Sequence, residues 1–248
     1  MRRAFQILIL IGLVCSDARA MPVSITAADG VKIYGEYWPV AARNAPLILA
    51  FHQAGSSHAE YEPLAPRLNR AGFSVLAIDQ RSGDGEFSGT NKTVAGLGRS
   101  TSYDAVFADL EAALAWGRQR AGTAPILVWG SSYSAALVFV LAAKHPGDVQ
   151  ALLAFSPGEY LGASDAVHAA ASRVQIPVFI DQSNDREEID LSRSILMAIP
   201  GADKEQFVSN RKSVHGTATL RADRNPIGAD EHWVAVLKFL ARFSNPGR

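Results

Sequence analysis

Cysteine is almost absent from this chain of 248 residues, in which the single cysteine is Cys15. Beyond residue 20 the chain therefore forms no disulfide and offers neither a thiolate metal ligand nor a cysteine nucleophile. It also has no thiol that an oxidising compartment would oxidise. This scarcity excludes cysteine chemistry and is compatible with export from the cytoplasm.

Long apolar runs and runs of like charge are also missing. The apolar stretch at residues 7–15 is about half of the ~20 residues that a membrane-spanning helix needs. The formal net charge is zero, and no cluster of like charge stands out. Neither nucleic acid nor an anionic membrane is therefore expected as the main partner, and the oligomeric state is left unpredicted.

The first twenty residues follow the pattern of a secretory signal peptide. A basic start precedes the apolar stretch, and the small residues Ala18 and Ala20 end the segment. We expect cleavage after Ala20 and a secreted or periplasmic mature protein, residues 21–248. Because the segment holds three arginines and one aspartate, its removal changes the net charge from zero to −2. Alternatively, Met21 is the true start and the protein is cytoplasmic.

Segments typical of strands and of helices alternate along the mature chain. The continuously apolar segments at 45–55 and 73–81 indicate strands buried on both faces, whereas residues 102–122 have helical spacing and end at a glycine. Residues 82–98 are rich in glycine and lack periodicity, so we expect a long loop there. This alternation predicts one α/β domain, with a mainly parallel sheet, helices on both faces and no large lid.

Three serines lie close together where the apolar segment 126–129 ends. Residues 130–134, Gly-Ser-Ser-Tyr-Ser, match the GxSxG pattern of a nucleophile elbow except at the last position. Such an elbow is a tight turn from strand to helix that strains its central residue and needs small neighbours. Ser131 belongs to the entry of the turn and Ser134 to the first helical turn. The register therefore places Ser132 at the tip, as the predicted nucleophile.

The order of these segments resembles the α/β-hydrolase fold and, within it, the dienelactone hydrolase-like small serine esterases. The resemblance covers about residues 25–243 and rests on the motifs FHQAGSS, DQRSGDG, GSSYSA, IPVFIDQSND and VHGTATL. The chain departs from the family in two respects. Ser134 replaces glycine, and a serine stands where dienelactone hydrolases use cysteine, which counts against lactone-diene specificity.

The resemblance implies a catalytic triad in the chain order nucleophile, acid, histidine. On this sequence the three residues are Ser132, Asp185 and His215. His215 lies in the short polar loop SVHGT and is the expected base. The acid is expected to hold the histidine tautomer and to stabilise the imidazolium.

The acid is the least determined of the three. Asp185 is the first choice, because it lies in the loop beyond the apolar segment PVFI. Glu187 and then Asp181 are the alternatives, and Glu188 is also within reach.

The resemblance also implies an oxyanion hole made of two backbone amides, those of Gln53 and Tyr133. Gln53 stands where family members commonly have glycine, and Tyr133 lies at a helix start, where amides have no internal partner. Residues 79–81, Asp-Gln-Arg, are expected to be structural. Asn91 and Thr93 are expected to shape one wall of the cleft.

We therefore expect a serine hydrolase that cleaves small soluble carboxylic esters through an acyl-enzyme intermediate, without cofactor or metal. Two alternatives stay open. A serine peptidase or amidase of the prolyl oligopeptidase-like type is one, because Tyr133 directly follows the predicted nucleophile. A non-catalytic binding protein with a hydrolase fold is the other, because the elbow is altered.

Overall fold

A computed structural model describes residues 19–244 of the chain. The predicted signal peptide, residues 1–20, lies outside the described residues except for its last two. The first strand starts at Met21, directly after the predicted cleavage point. Across the part of the chain that the structure describes, no helix combines the length and the apolar character needed to cross a membrane.

Eight strands within residues 19–244 form one sheet. They are β1 (Met21–Thr26), β2 (Lys32–Trp38), β3 (Leu47–Phe51), β4 (Ser74–Asp79), β5 (Ile126–Ser131), β6 (Ala151–Phe155), β7 (Val178–Asp181) and β8 (Lys204–Phe207). Their spatial order is β1-β2-β4-β3-β5-β6-β7-β8. The strand β2 is antiparallel to both β1 and β4, and all the other neighbouring pairs are parallel. The prediction of a mainly parallel sheet is confirmed.

The helices of residues 19–244 fill most of the connections. They are α1 (Ala65–Arg70), α2 (Lys92–Leu97), α3 (Phe107–Ala121), α4 (Tyr133–Lys144), α5 (Ala166–Ala171), α6 (Arg186–Ala198) and α7 (Ala229–Leu240). Single 3₁₀ turns occur at His58–Glu60, Glu86–Ser88, Asp104–Val106 and Gly216–Leu220.

The loop expected over residues 82–98 contains the helix α2. The side chain of Asn91 caps this helix by accepting a hydrogen bond from the amide of Val94 at 2.8 Å. Six helical residues span fewer than two turns, which is too short for an apolar period to stand out in the sequence.

The core lies on both faces of the sheet. Along β5, Leu127 and Trp129 pack with residues of α1 and α7, whereas Val128 packs on the opposite face with residues of α3 and α4. Because successive side chains of a strand point to opposite faces, covering both faces requires a continuously apolar strand. The carboxyl ends of the parallel strands β3, β5, β6 and β7 meet at one edge, where the connecting loops form the site.

Candidate active site

The predicted elbow is present between β5 and α4. Ser132 has φ 56° and ψ −123°, a region that a residue other than glycine seldom adopts. Gly130 allows the turn to close, since a Cβ atom there would lie 2.3 Å from the carbonyl oxygen of Ser134. The turn thus holds Ser132 at the tip, as its register predicts.

Ser132 is hydrogen-bonded to His215, and His215 to a carboxylate. The Nε2 atom of His215 lies 2.8 Å from the Ser132 hydroxyl oxygen, and its Nδ1 atom lies 2.7 Å from Oε1 of Glu188. The side chain of His215 is 41% exposed, so reagents in solution reach it. A nitrogen is therefore placed to accept the serine proton while the other donates to a carboxylate.

The prediction of Asp185 as the acid is wrong. Asp185 precedes α6 and caps it, accepting hydrogen bonds from the amides of Glu187 at 2.8 Å and Glu188 at 3.3 Å. A side chain that turns back onto its own helix in this way cannot also reach the histidine. Of the two alternatives, Glu187 is exposed, and Asp181 is buried against Nδ1 of His232 at 2.7 Å.

Glu188 reaches His215 because it lies on the inner face of α6. Counting along the helix, Glu188, Ser192 and Ile195 follow the spacing of one face, and the last two are buried. This spacing is the sequence signal that distinguishes Glu188 from its neighbours. This signal can be used only when the first residue of α6 is known. The cap formed by Asp185 sets that residue.

Ser156, to which the sequence assigned no role, connects the acid to the histidine loop. It directly follows β6 and has φ 53°. Its hydroxyl donates to Oε2 of Glu188 at 2.7 Å and accepts from the amide of Gly216 at 2.9 Å. Both oxygens of Glu188 are therefore engaged, which orients the carboxylate.

These contacts lower the pKa of Glu188 and raise the pKa of His215. Burial alone would raise the pKa of Glu188, but hydrogen bonds from His215, from the Ser156 hydroxyl and from the Ser183 amide lower it to about 2. The hydrogen bond to Glu188 raises the pKa of His215, against the opposing effect of burial. The carboxylate therefore stays ionised and favours the imidazolium that forms when the serine loses its proton.

The amide of Gln53, one of the two predicted oxyanion donors, is already engaged, so this prediction is wrong. It donates to Oε2 of the buried Glu60 at 2.8 Å. The next amide, that of Ala54, has no acceptor among residues 19–244, and neither has the amide of Tyr133 at the start of α4. The amides of Ala54 and Tyr133 are therefore both free to donate to a bound oxyanion.

Ser134 and Ser131 tie the elbow to the loops on either side. The hydroxyl of Ser134 donates to the carbonyl of His52 at 2.6 Å and accepts from the amide group of the Gln80 side chain at 2.8 Å. The hydroxyl of Ser131 accepts from the amide of Thr217 at 2.9 Å. The serine in place of the last glycine of the motif thus connects the elbow by hydrogen bonds to the loop that follows β3.

Asn91 and Thr93 do not line a cleft, contrary to expectation. Both are buried. The side chain of Asn91 donates to the carbonyl of Gln80 at 2.8 Å, and the hydroxyl of Thr93 accepts from the amide of Tyr34 at 3.0 Å. They brace the loop after β4 from within.

Residues 79–81 are structural, as expected. Asp79 pairs with Nδ1 of His58 at 2.7 Å. Nε of Arg81 donates to the buried Asp109 at 2.8 Å. Both contacts secure the carboxyl end of β4.

A shallow depression of about 360 Å³ lies between the loop after β6 and the segment before α3. Its lining includes Tyr103, Tyr160 and Leu161. The ring of Tyr103 stacks on that of Tyr133 at 4.3 Å between centroids, and the hydroxyl of Tyr160 donates to the carbonyl of Ser156 at 3.3 Å. The lining of the depression therefore contacts Tyr133, which follows Ser132, and Ser156, which holds Glu188.

The turn after β5 holds a strained serine at the carboxyl edge of a parallel sheet. This serine is hydrogen-bonded to a histidine, which in turn is hydrogen-bonded to a carboxylate. The arrangement defines an α/β-hydrolase.

Comparison with known families gives the same class. The family model described as serine aminopeptidase, S33, matches residues 42–179, which is more than half of the chain. The chain belongs to this family of hydrolases. The matched region contains Ser132 and ends before Glu188 and His215. No curated protein sequence matches the chain.

Solved structures share the fold at low sequence identity. The dienelactone hydrolase of Anabaena variabilis is 16% identical with a TM-score of 0.71, and the match covers 93% of this chain and all of that one. An esterase of Pyrococcus furiosus is 19% identical with a TM-score of 0.68, covering 92% of both chains. The esterase domain of a Rhodothermus marinus protein is 17% identical with a TM-score of 0.63, covering 91% of this chain and 99% of that one. The resemblance inferred from the sequence is confirmed.

Proposed function

We propose that this enzyme is a serine carboxylesterase in which Ser132 is the nucleophile, His215 the general base and Glu188 the acid. The observation that carries the proposal is the unbroken series of hydrogen bonds from the Ser132 hydroxyl through both nitrogens of His215 to Glu188. Strain at Ser132 and the free amides of Ala54 and Tyr133 support the same assignment.

The proposed reaction proceeds through an acyl-enzyme. As the Ser132 oxygen attacks the ester carbonyl carbon, Nε2 of His215 takes its proton, and Glu188 stabilises the resulting imidazolium. The amides of Ala54 and Tyr133 donate to the oxyanion. The imidazolium then gives its proton to the departing alkoxide, which leaves as an alcohol. Water then attacks the acyl carbon as His215 takes one of its protons. The bond from the acyl carbon to the Ser132 oxygen breaks, the imidazolium returns the proton to that oxygen, and the carboxylic acid is released.

The surroundings favour small, uncharged esters. The depression between Tyr103 and Tyr160 is shallow and is lined mainly by uncharged residues, with Asp104 as its charged member. The connection between β6 and β7 holds only the six-residue helix α5. Glu188, Glu60 and Glu86 each raise the pKa of His215 through their charge. A site with this negative field disfavours an anionic substrate.

A fluorophosphonate probe tests the proposed nucleophile. We expect the wild type to be labelled on Ser132 and Ser132→Ala to remain unlabelled. Ser172→Ala is the matched control, because Ser172 follows α5 on the exposed surface, and it should be labelled like the wild type. Equal labelling of wild type and Ser132→Ala, or none of either, contradicts the proposal.

The second candidate is an amidase or peptidase, which the description of the matched family as a serine aminopeptidase favours. Rates on p-nitrophenyl esters of increasing acyl length, compared with rates on aminoacyl p-nitroanilides, separate the two candidates. We expect a higher kcat/KM for short acyl esters. A higher value for the anilides assigns the enzyme to the second candidate.

We also propose that the mature enzyme is secreted or periplasmic. The start of β1 at Met21 supports this location, since cleavage after Ala20 leaves every strand of the sheet intact. If Met21 is instead the true start, the enzyme is cytoplasmic.

A further inference from the structure

Glu60 is a buried carboxyl group outside the triad. It ends the 3₁₀ turn His58–Glu60 and has no exposed surface. Its Oε2 atom accepts the amide of Gln53, and within residues 19–244 its Oε1 atom has no hydrogen-bond partner. Burying a carboxyl group with one oxygen unpaired is costly. Packing alone would favour an apolar side chain here, so the acceptor at Oε2 needs an explanation.

The groups around Glu60 do not form an ion pair with it. The guanidinium of Arg221 donates to the main-chain carbonyl of Glu60 at 3.1 Å, while its other contacts include the carboxylate of Asp223. The Ser131 hydroxyl lies beside the carboxyl group and lowers its pKa, whereas the charge of Glu86 raises that pKa. Burial raises the pKa of Glu60 to about 7. The direct interaction of its Oε2 atom is therefore with the amide of Gln53.

That amide belongs to the loop that supplies the oxyanion donor. The carbonyl of Gln53 accepts from Nδ1 of His52 at 2.7 Å and from the amide of Ser56 at 3.3 Å. In a trans peptide the next N–H points away from this carbonyl. The orientation of the Ala54 amide is therefore determined by how both peptide groups of Gln53 are held.

His52 maintains the carbonyl side of this arrangement. Its Nε2 atom accepts the amide of Gln80 at 2.9 Å, so Nδ1 carries the proton that Gln53 accepts. Burial lowers the pKa of His52 to about 4. The ring thus stays neutral near pH 7 and keeps its hydrogen bond to the carbonyl of Gln53. The orientation of the Gln53 peptide then depends on the acceptor of the Gln53 N–H, which is Glu60.

We propose that Glu60 is a positioning residue, which anchors the amide of Gln53 so that the Ala54 amide is presented to the oxyanion. The inference rests on the proposed esterase function. Glu60 does not touch the substrate in this arrangement. Its loss should therefore lower kcat, through a displaced oxyanion donor, and leave KM nearly unchanged.

Three variants test the role. Glu60→Leu removes the acceptor and retains the bulk, whereas Glu60→Gln retains an oxygen that accepts from Gln53. Glu62→Leu is the matched control, because Glu62 lies on the same segment and is 57% exposed. The measurements are kcat and KM for p-nitrophenyl acetate, and the inhibition constant of a trifluoromethyl ketone, whose serine-bound hemiketal carries an oxyanion.

We expect Glu60→Leu to lose about 10- to 100-fold in kcat and a similar factor in ketone affinity. Glu60→Gln should stay within about threefold of the wild type, and so should Glu62→Leu. Should Glu60→Leu not fold, Glu60→Asp decides, because its shorter carboxylate keeps the charge but draws back from Gln53 and should lose kcat with KM unchanged.

Two results overturn the positioning role. One is wild-type kcat and ketone affinity in Glu60→Leu, or in Glu60→Asp where the leucine variant does not fold. The other is a loss in Glu60→Gln as large as that in the leucine or aspartate variant. An inactive wild type, by contrast, refutes the esterase proposal itself, so the two failures are distinguishable.

Discussion

Replacing Glu188 by glutamine removes the carboxylate that the structure places against His215. Glutamine has nearly the same shape, but its amide group donates to Nδ1 and thereby favours the tautomer with the proton on Nε2. That tautomer cannot accept the proton of Ser132, which lies 2.8 Å away. We expect kcat/KM for p-nitrophenyl acetate to fall by about 10³- to 10⁴-fold, which corresponds to about 4–5.5 kcal/mol of the barrier.

The same substitution has a signature in stability. The pKa of Glu188 is lowered from 4.5 to about 2, which corresponds to about 3 kcal/mol in favour of the ionised form in the folded state. Because the folded pKa is depressed, this contribution is complete above pH 4.5 and is lost as the pH falls towards 2. Urea unfolding across this range should show a steeper loss of stability in the wild type than in Glu188→Gln.

Asp185→Asn is the matched control for this pair of measurements. Asparagine caps a helix about as well as aspartate, so the two hydrogen bonds to the first amides of α6 are retained. We expect kcat/KM within about twofold of the wild type, and the loss of stability on acidification that is attributed to Glu188 should be retained. The assignment of the acid is refuted if Asp185→Asn is inactive while Glu188→Gln keeps its activity.

Three further expectations follow from the site and the termini of the domain. Since the bond to Glu188 raises the pKa of His215 above 6.5, kcat/KM should fall as the pH drops through a value above 6.5, and a midpoint below 6.5 in the pH–rate profile contradicts this. Ser134→Ala leaves the carbonyl of His52 and the side chain of Gln80 without their shared hydroxyl, so urea unfolding should show a loss of about 1–3 kcal/mol in the free energy of unfolding. Unchanged stability argues against a stabilising contact between the elbow and the loop after β3. Expression of the full chain in a bacterium should yield an exported protein whose mass, measured by mass spectrometry, is that of a chain starting at Met21. A cytoplasmic product that retains residues 1–20 rules out export.

The elements that create local periodicity were predictable from the sequence. Strands such as β3 and β5 must be apolar throughout, because helices cover both faces of the sheet. Their alternation with helical segments limits the fold to a parallel α/β sheet. The glycine-rich segment after β4 was not predictable in this way, since α2 is stabilised by its Asn91 cap rather than by an apolar face.

The position of Ser132 could also be derived from the chain alone, because it lies where a local pattern changes, whereas His215 was expected through the family resemblance. Ser132 follows the end of an apolar strand within a run of small residues. His215 lies in a short polar loop before the last helix. Such transitions are visible in the order of residues, and the turn geometry at the strand end requires little else.

By itself, then, the sequence determined the sheet, its helices and the position of Ser132 at the turn after β5, since these depend on neighbouring residues, while the expectation for His215 needed the family resemblance. Only the tertiary structure decided that Glu188 rather than Asp185 meets His215, and that the amide of Gln53 is bound by Glu60. The physical reason is that several carboxylates and amides of equal chemistry lie within a few residues of one another. Which of them is free depends on partners from distant strands and loops.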